Sequence, residues 1–554
     1  MKKILISVAC VVFAALLCGC NKQMTTNDAT KVPSEVFTSS TAGLNQLLTG
    51  TYRSFLMGTG AYGQDRASYQ GVSGFLMLYD MMGSDICVNT NYGSSPEHVY
   101  KLEPSRTQAA DGAHHIWEHM YNVINMANII IDNAPTATGS DTEKNALIGQ
   151  ALAMRGFCYF HLLLNYQQTY AIAKAKRGVI LRLHADDDPS MPFSTVEQCY
   201  AQVVSDLKEA ENKLAGFTRE EKWMLDASVA AGMLARVYQV MGDWKGAYAE
   251  ANKVYQKYGT LMSKEQWCSG MDHLMEEGCA ELVWGCKYTN LSNVSSNTVF
   301  NNWYNFDPSY GEGMTTGPLY HFLCNYVDQT YVDLFEGDDT DYRGTKCTKT
   351  EGVTDEDEIN VMFWHRTNND LGNYNDKKWA YNKLKSYGDG TYEGHTNANH
   401  NYGFDVPMMR GSEMLLIMAE AAAHDSSLGN AQNLLNTLQN ARQVKNPTVA
   451  SGDALLEAIY VERRKELLGE GVTGSYDLLR LQRPLVRKAA CAANNYAGHF
   501  SWGMTNLDGY NGSDAEPQGT IPSNDYRFIC QIPQLEMTNN KAISDSDQNP
   551  LRGQ

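Results

Sequence analysis

Residues 227–258 read ASVAAGMLARVYQVMGDWKGAYAEANKVYQKY, and this stretch decides the fold. Ala230, Ala231 and Ala235 recur with Leu234 and Val237 between them; Trp244, Ala247, Tyr248, Ala251 and Val254 follow. Offsets of three, four and seven put each set on one face of a helix. Alanine faces let two helix backbones approach closely, while Trp244 and the tyrosines fill the space beside them. Gly242 can take the left-handed conformation that ends the first helix, and Asp243 can cap the second. The unit is a helical hairpin. It is either isolated or one member of a repeat, and the number of further pairs distinguishes the two.

The same periodicity recurs on both sides. Residues 41–57 have a helical pattern. Residues 116–133 follow, with Trp117, Tyr121, Ile124 and Ala127–Asn128 on one face. Residues 143–166 are apolar nearly all round, which predicts deep burial and obliges Arg155 to find a partner. Residues 195–214 open with Ser194 or Thr195 three residues ahead of Glu197 or Gln198, a capping box. Further along, residues 412–423, 430–442 and 453–468 read as three more helices. Roughly four helical pairs favour a mainly α chain of tetratricopeptide-like hairpins at irregular spacing.

Long insertions interrupt the pairs. Residues 58–112 are rich in glycine, serine and tyrosine (Tyr62, Tyr69, Tyr79, Tyr92, Tyr100) and read as long loops with short helical pieces. Residues 284–404 hold 22 aromatic residues in 121, or 18% against 10% for the whole chain, together with 16 asparagines. A helical frame carrying such an excursion suits ligand binding.

The 554 residues are 43% hydrophobic and 19% charged, which predicts a globular chain with a large core. The net charge is −18, and −20 once Lys2 and Lys3 are removed with a leader. That balance argues against nucleic acid and against an anionic lipid surface as the main partner. Residues 1–20, MKKILISVACVVFAALLCGC, place two lysines before an apolar run too short to span a membrane. The run ends in Leu17-Cys18-Gly19-Cys20, similar to a bacterial lipobox, with Cys20 as the acylated residue because Gly19 precedes it. Residues 1–19 then form a lipoprotein signal peptide, and 20–34 a polar tether. Ten further cysteines include no CxxC, so zinc-ribbon and thioredoxin readings fail. Cys158 and Cys199 read as buried thiols. Cys279 and Cys286 flank a possible strand, ELVWG, and could pair.

Several motifs raise specific chemistry. His115-Ile-Trp-Glu118-His119 spells HxxEH, which on a helix would offer two zinc ligands and a general base and would make the chain a zinc hydrolase. The bland alternative is a polar helix side with incidental histidines. Residues 58–63, GTGAYG, spell GxGxxG, but a helical pattern precedes them and loop follows, against a dinucleotide site. Asp186-Asp187-Asp188 and Asp338, Asp339 and Asp341 could hold a structural calcium or be solvated loop charge. No other cofactor is implied. Sugar CH faces stack on aromatic rings, and sugar hydroxyls pair with amides and carboxylates. Asn301, Asn302, Trp303, Tyr304 and Tyr310 offer both kinds in one loop, and Asp85, Asn91 and Tyr92 do so in the early loop. Glycan contact is expected at Trp303, Tyr304, Tyr92, Asn302, Asn91, Tyr310 and Asp85. The competing reading packs Trp303 and Phe306 against the helices.

Several segments together resemble the SusD/RagB family of outer-membrane nutrient-binding lipoproteins. They are residues 153–160 (AMRGFCYF), 410–421 (RGSEMLLIMAEA), 462–467 (ERRKEL), Glu470-Gly471, Asp477-Leu478…Arg480, Ile532-Pro533…Glu536 and Gln548-Asn549-Pro550. Thr473 stands where that family usually has an arginine, so its charge cluster is rebuilt here. The resemblance implies a right-handed superhelical tetratricopeptide-like frame, with residues 35–283 and 284–554 as N- and C-terminal parts packed as one unit. It implies a non-enzymatic lipoprotein on the outer membrane that captures oligosaccharide, or in some members peptide. The partner it implies is a TonB-dependent SusC-like transporter barrel.

Overall fold

The computed structural model describes residues 37–57, 71–88, 97–100, 102, 106–268, 271, 274–275, 278–288, 325–344, 358–359, 363–365, 379–381, 383–384, 404–488 and 518–550. The signal peptide, Cys20 and the tether lie outside them. The chain begins with helices α1 (Thr41–Met57), α2 (Gly71–Met81), α3 (Asp111–Asn133), α4 (Asp141–Tyr166), α5 (Val196–Lys213), α6 (Ala227–Met241) and α7 (Trp244–Tyr258). After the excursion come α8 (Gly411–His424), α9 (Ala431–Ala441), α10 (Asp453–Leu467) and the short α11 (Ser475–Arg480). Each of α3 to α7 packs on its successor, and α7 packs on α8 although residues 259–410 intervene. The helical stack therefore continues across the insertion.

The signals read at Gly242, Asp243 and Thr195 act as expected, and Asp226 and Ser140 add caps not read from the sequence. Asp226 accepts from the Val229 amide to start α6, Gly242 ends it at φ 74°, and Asp243 accepts from the Gly246 amide to start α7. Thr195 and Gln198 form the capping box of α5, and Ser140 with Glu143 forms that of α4. Helix α4 is long and apolar enough to cross a membrane, yet 89% of its most apolar stretch is buried inside the protein. Its Arg155 is paired: Nε and Nη2 each donate to Asp206 at 2.8 Å, and Nη1 donates to Asn128 Oδ1 and to the Leu183 carbonyl.

Residues 58–112 contain α2, one of the helical pieces expected among the loops. Phe75, Leu76, Met77, Leu78, Tyr79 and Met81 are all buried, and a helix apolar on every side shows no periodicity. One reading is corrected: Cys279 and Cys286 are separate buried thiols; Cys286 Sγ lies 3.5 Å from Met408 Sδ. Cys158 and Cys199 are buried thiols as expected.

The strands are β1 (Ile86–Val88), β2 (Leu282–Tyr288), β3 (Asn325–Val327), β4 (Glu358–Ile359), β5 (Phe363–His365), β6 (Trp379–Tyr381), β7 (Phe404–Arg410), β8 (Leu485–Lys488) and β9 (Gln518–Ile521). Strand β2 holds all but Glu281 of the predicted ELVWG segment and pairs antiparallel with β7, from Leu282↔Arg410 to Tyr288↔Phe404. Tyr288 and Phe404 thus pair across the base of the excursion, which can be long without disturbing the stack. A five-stranded sheet runs β1-β3-β6-β5-β4, and β8 pairs with β9. One core cluster runs from Leu44 in α1 to Ile532, through both halves of the chain.

Candidate functional site

Two segments distant in sequence meet at the β1–β3 ladder. Its register is Ile86↔Val327, Cys87↔Tyr326 and Val88↔Asn325. The strands are antiparallel, and Val88 and Asn325 are paired neighbours. The predicted contacts Asn91 and Tyr92 follow Val88 in sequence, and Asn302, Trp303, Tyr304 and Tyr310 precede Asn325. These six side chains lie outside the described residues.

The seventh predicted contact, Asp85, is described and faces inward. It is 3% exposed. Its carboxylate accepts from Arg464 Nε at 2.8 Å and Nη2 at 2.5 Å, and its carbonyl accepts from the Asp328 amide at 2.9 Å. Burial would lower the Arg464 pKa, but the Asp85 charge outweighs it and raises it. Asp85 thus pins the start of β1 to α10 and to the residue after β3. The pattern reading missed this because Arg464 is remote in sequence.

The base of the insertion is fastened into a buried charge network. Arg410 donates to Glu281, Glu466 and Glu470; Arg442 donates to Glu466 and Glu281; Arg343 pairs with Asp341, Glu462 and Glu466. Lys465 pairs with Asp341, and Lys383 donates to Glu470 and to the carbonyls of Glu466 and Leu468. Five cations meet five carboxylates, so the cluster is neutral. Burial would raise the Glu466 carboxyl, but Arg442 and Arg410 hold it far below the usual range. Burial pushes the Lys383 ammonium down to about 8, against the opposing pull of Glu470. The fully buried Trp267 ring lies under the cationic groups of Arg442, Arg410 and Lys383, at 4.6, 5.1 and 5.3 Å from its centre. Arg343 and Lys383 belong to the insertion; the network thereby ties it to the helices.

A neighbouring cluster joins Arg463 and Arg480 to Asp477, and Arg480 also to Glu420. Thr473 takes a different part. Its hydroxyl donates to Asp80 Oδ1 at 2.5 Å, while the Gly469 and Gly471 amides donate to Oδ2 at 3.0 Å. Burial raises the Asp80 pKa to about 7, against those three donors.

The HxxEH motif is dispersed into structural roles. Glu118 pairs with His114 at 2.8 Å, His115 is buried, and the His119 ring packs on Phe75 at 4.8 Å. Burial pushes His119 down to about 4. Among the described residues no group of three or more His, Cys, Asp or Glu is placed to hold a metal ion. The aspartates considered for calcium cap their own loops: Asp187 accepts from the Leu183 and His184 amides, and Asp338 from those of Thr340, Asp341 and Lys445.

Two family models match the chain. One, described as starch-binding associating with outer membrane, matches residues 29–239; the other, the SusD family, matches residues 280–551. The chain belongs to the SusD family. A SusD-like carbohydrate binding protein from Bacteroides vulgatus ATCC 8482 superposes with TM-score 0.71 at 26% identity, covering 93% of this chain and 99% of that one. SusD-like protein P38 of Formosa agariphila is 23% identical over 392 residues, 66% of this chain and 72% of that protein. A laminarin-binding SusD-like protein shares the fold at TM-score 0.62 and 17% identity, covering 92% of this chain and 99% of its own. SusD-like proteins are carbohydrate-binding and non-catalytic. The family is associated with the outer membrane and works with SusC-type transporters.

Proposed function

We propose that this chain is a lipid-anchored glycan-binding protein of the cell surface, which captures oligosaccharide and delivers it to a SusC-like TonB-dependent barrel. The observation that supports the reading is the β1–β3 pairing, which joins the described ends of two aromatic and amide-rich segments on a base fastened by Asp85–Arg464 and the buried charge network. The proposed glycan contacts are the rings of Trp303, Tyr304, Tyr310 and Tyr92 and the amides of Asn91 and Asn302. Family membership and the carbohydrate-binding relative support the ligand class. Cys20 carries the lipid anchor.

The test is retention on an oligosaccharide array by the chain lacking residues 1–20, a deletion outside the core, which begins at Leu44. Binding of at least one glycan class is expected. Retention of peptides with no oligosaccharide would overturn the reading. Metabolic labelling with a fatty acid that Cys20→Ala abolishes, and loss of the protein on protease treatment of intact cells, test the anchor and the outward face.

A further inference from the structure

Residues 530–549 follow the helical stack in sequence, yet they bond to its early part. Among the described residues, every hydrogen bond that leaves this segment ends between residues 106 and 191. Two of them close the end of α4. The Cys530 amide donates to the Asn165 carbonyl at 2.7 Å, and Asn549 Nδ2 donates to the Tyr166 carbonyl at 2.7 Å. The last carbonyls of a helix have no partner within it, so these two bonds act as caps supplied from far away. Glu536 adds a polar clasp, accepting from Trp117 Nε1 at 3.3 Å and from Arg182 Nη2 at 3.2 Å. The two Glu536 bonds span 419 and 354 residues of sequence.

The segment is anchored at its two ends and open between them. Cys530, Ile532 and Asn549 are buried, and the first two join the core cluster. The ends are also held to each other: Gln548 Oε1 accepts from the Ile532 amide at 2.7 Å, and Asn549 Nδ2 donates to the Cys530 carbonyl at 2.6 Å. Between them the short helix Gln534–Asn539 buries none of its residues, and Leu535 is 58% exposed. A segment held mostly by polar contacts, with few buried apolar side chains, opens at a lower free energy than the core. Because its two ends are bonded together, it opens as one unit.

We infer that residues 530–549 are a latch on the early helices: they dock last, open first, and cap α4 only when they are in place. During synthesis residues 106–191 emerge well before the latch does. Chains otherwise fold from the N-terminal side as they emerge, but here the end of α4 waits for donors made more than 350 residues later. The loop entropy of such a closure is lost before the contacts repay it, which places docking late in refolding as well.

The test is amide hydrogen exchange on the chain lacking residues 1–20. In pulse-labelled refolding from urea, the Cys530, Gln531 and Gln534 amides are expected to gain protection after those of α8 to α10. In the native state Asn549→Ala, which removes the bonds to Tyr166, Cys530 and Arg177, is expected to speed exchange at Cys530 and Gln531 about tenfold. Exchange within α8 to α10 is expected to stay as in the parent. Protection of the three amides together with or before α8 to α10 would overturn the inference. So would an Asn549→Ala effect that is absent at Cys530 or spread evenly over the chain.

Discussion

Replacing Asp80 with asparagine should make the protein's stability less dependent on pH. Asp80 is fully buried at the end of α2, with three donors around it and no cation in direct contact. Its pKa is raised from 3.8 to about 7, with burial as the first cause. Between those values the folded state holds a proton that the unfolded chain has released. Stability from this group is therefore complete below pH 3.8 and is lost as pH rises through 7. At 1.36 kcal/mol per unit the whole loss is about 4 kcal/mol, of which about 2 to 3 kcal/mol falls between pH 5 and pH 8. Asparagine can keep all three contacts. Its oxygen can accept from the Gly469 and Gly471 amides, and its NH2 can donate to the Thr473 hydroxyl. Asp80→Asn should thus gain about 2 to 3 kcal/mol relative to the parent from pH 5 to pH 8. Urea unfolding of both proteins at four pH values reads this difference. A difference that stays flat across the range would show that Asp80 ionises in the fold like an ordinary carboxylate, and the reasoning would be refuted.

Arg410→Met should cost about 3–5 kcal/mol in the same assay, because it strips a cation from Glu281, Glu466 and Glu470 inside the core; a loss under about 1 kcal/mol would contradict the network's role. Gly474 sits at φ 54°, and a Cβ there would stand 2.2 Å from the Tyr79 carbonyl oxygen. Gly474→Ala should therefore lower stability by about 1–3 kcal/mol, and a neutral result by calorimetry would refute the close backbone contact. Trp303→Ala should weaken glycan retention by about 1–3 kcal/mol on a titration, with the melting temperature unchanged; a large drop in melting temperature would place Trp303 in the core instead.

The frame was legible because its signals are local. Gly242, Asp243 and Thr195 each act within four residues, and the alanine faces of 227–258 depend only on helical period. Burial of 143–166 and the pairing of Arg155 also followed from composition and the cost of a lone buried charge. Helical pieces were expected in 58–112, but the bounds of α2 were not read because it is apolar on nearly all sides and shows no period. Asp85 was taken for a ligand group because its partner stands 379 residues away.

The sequence alone determined the mainly helical hairpins, their caps and the presence of an aromatic, amide-rich excursion. It also carried the family signature, because those properties reside in residue types at short spacing. Only the tertiary structure decided which carboxylates are spent inside, that β2 and β7 close the excursion, and that β3 within it pairs with β1. Strand pairing and ion pairing act through space between residues tens to hundreds apart. No period or motif encodes such contacts, and they appear only when the stacked helices fix where each segment must return.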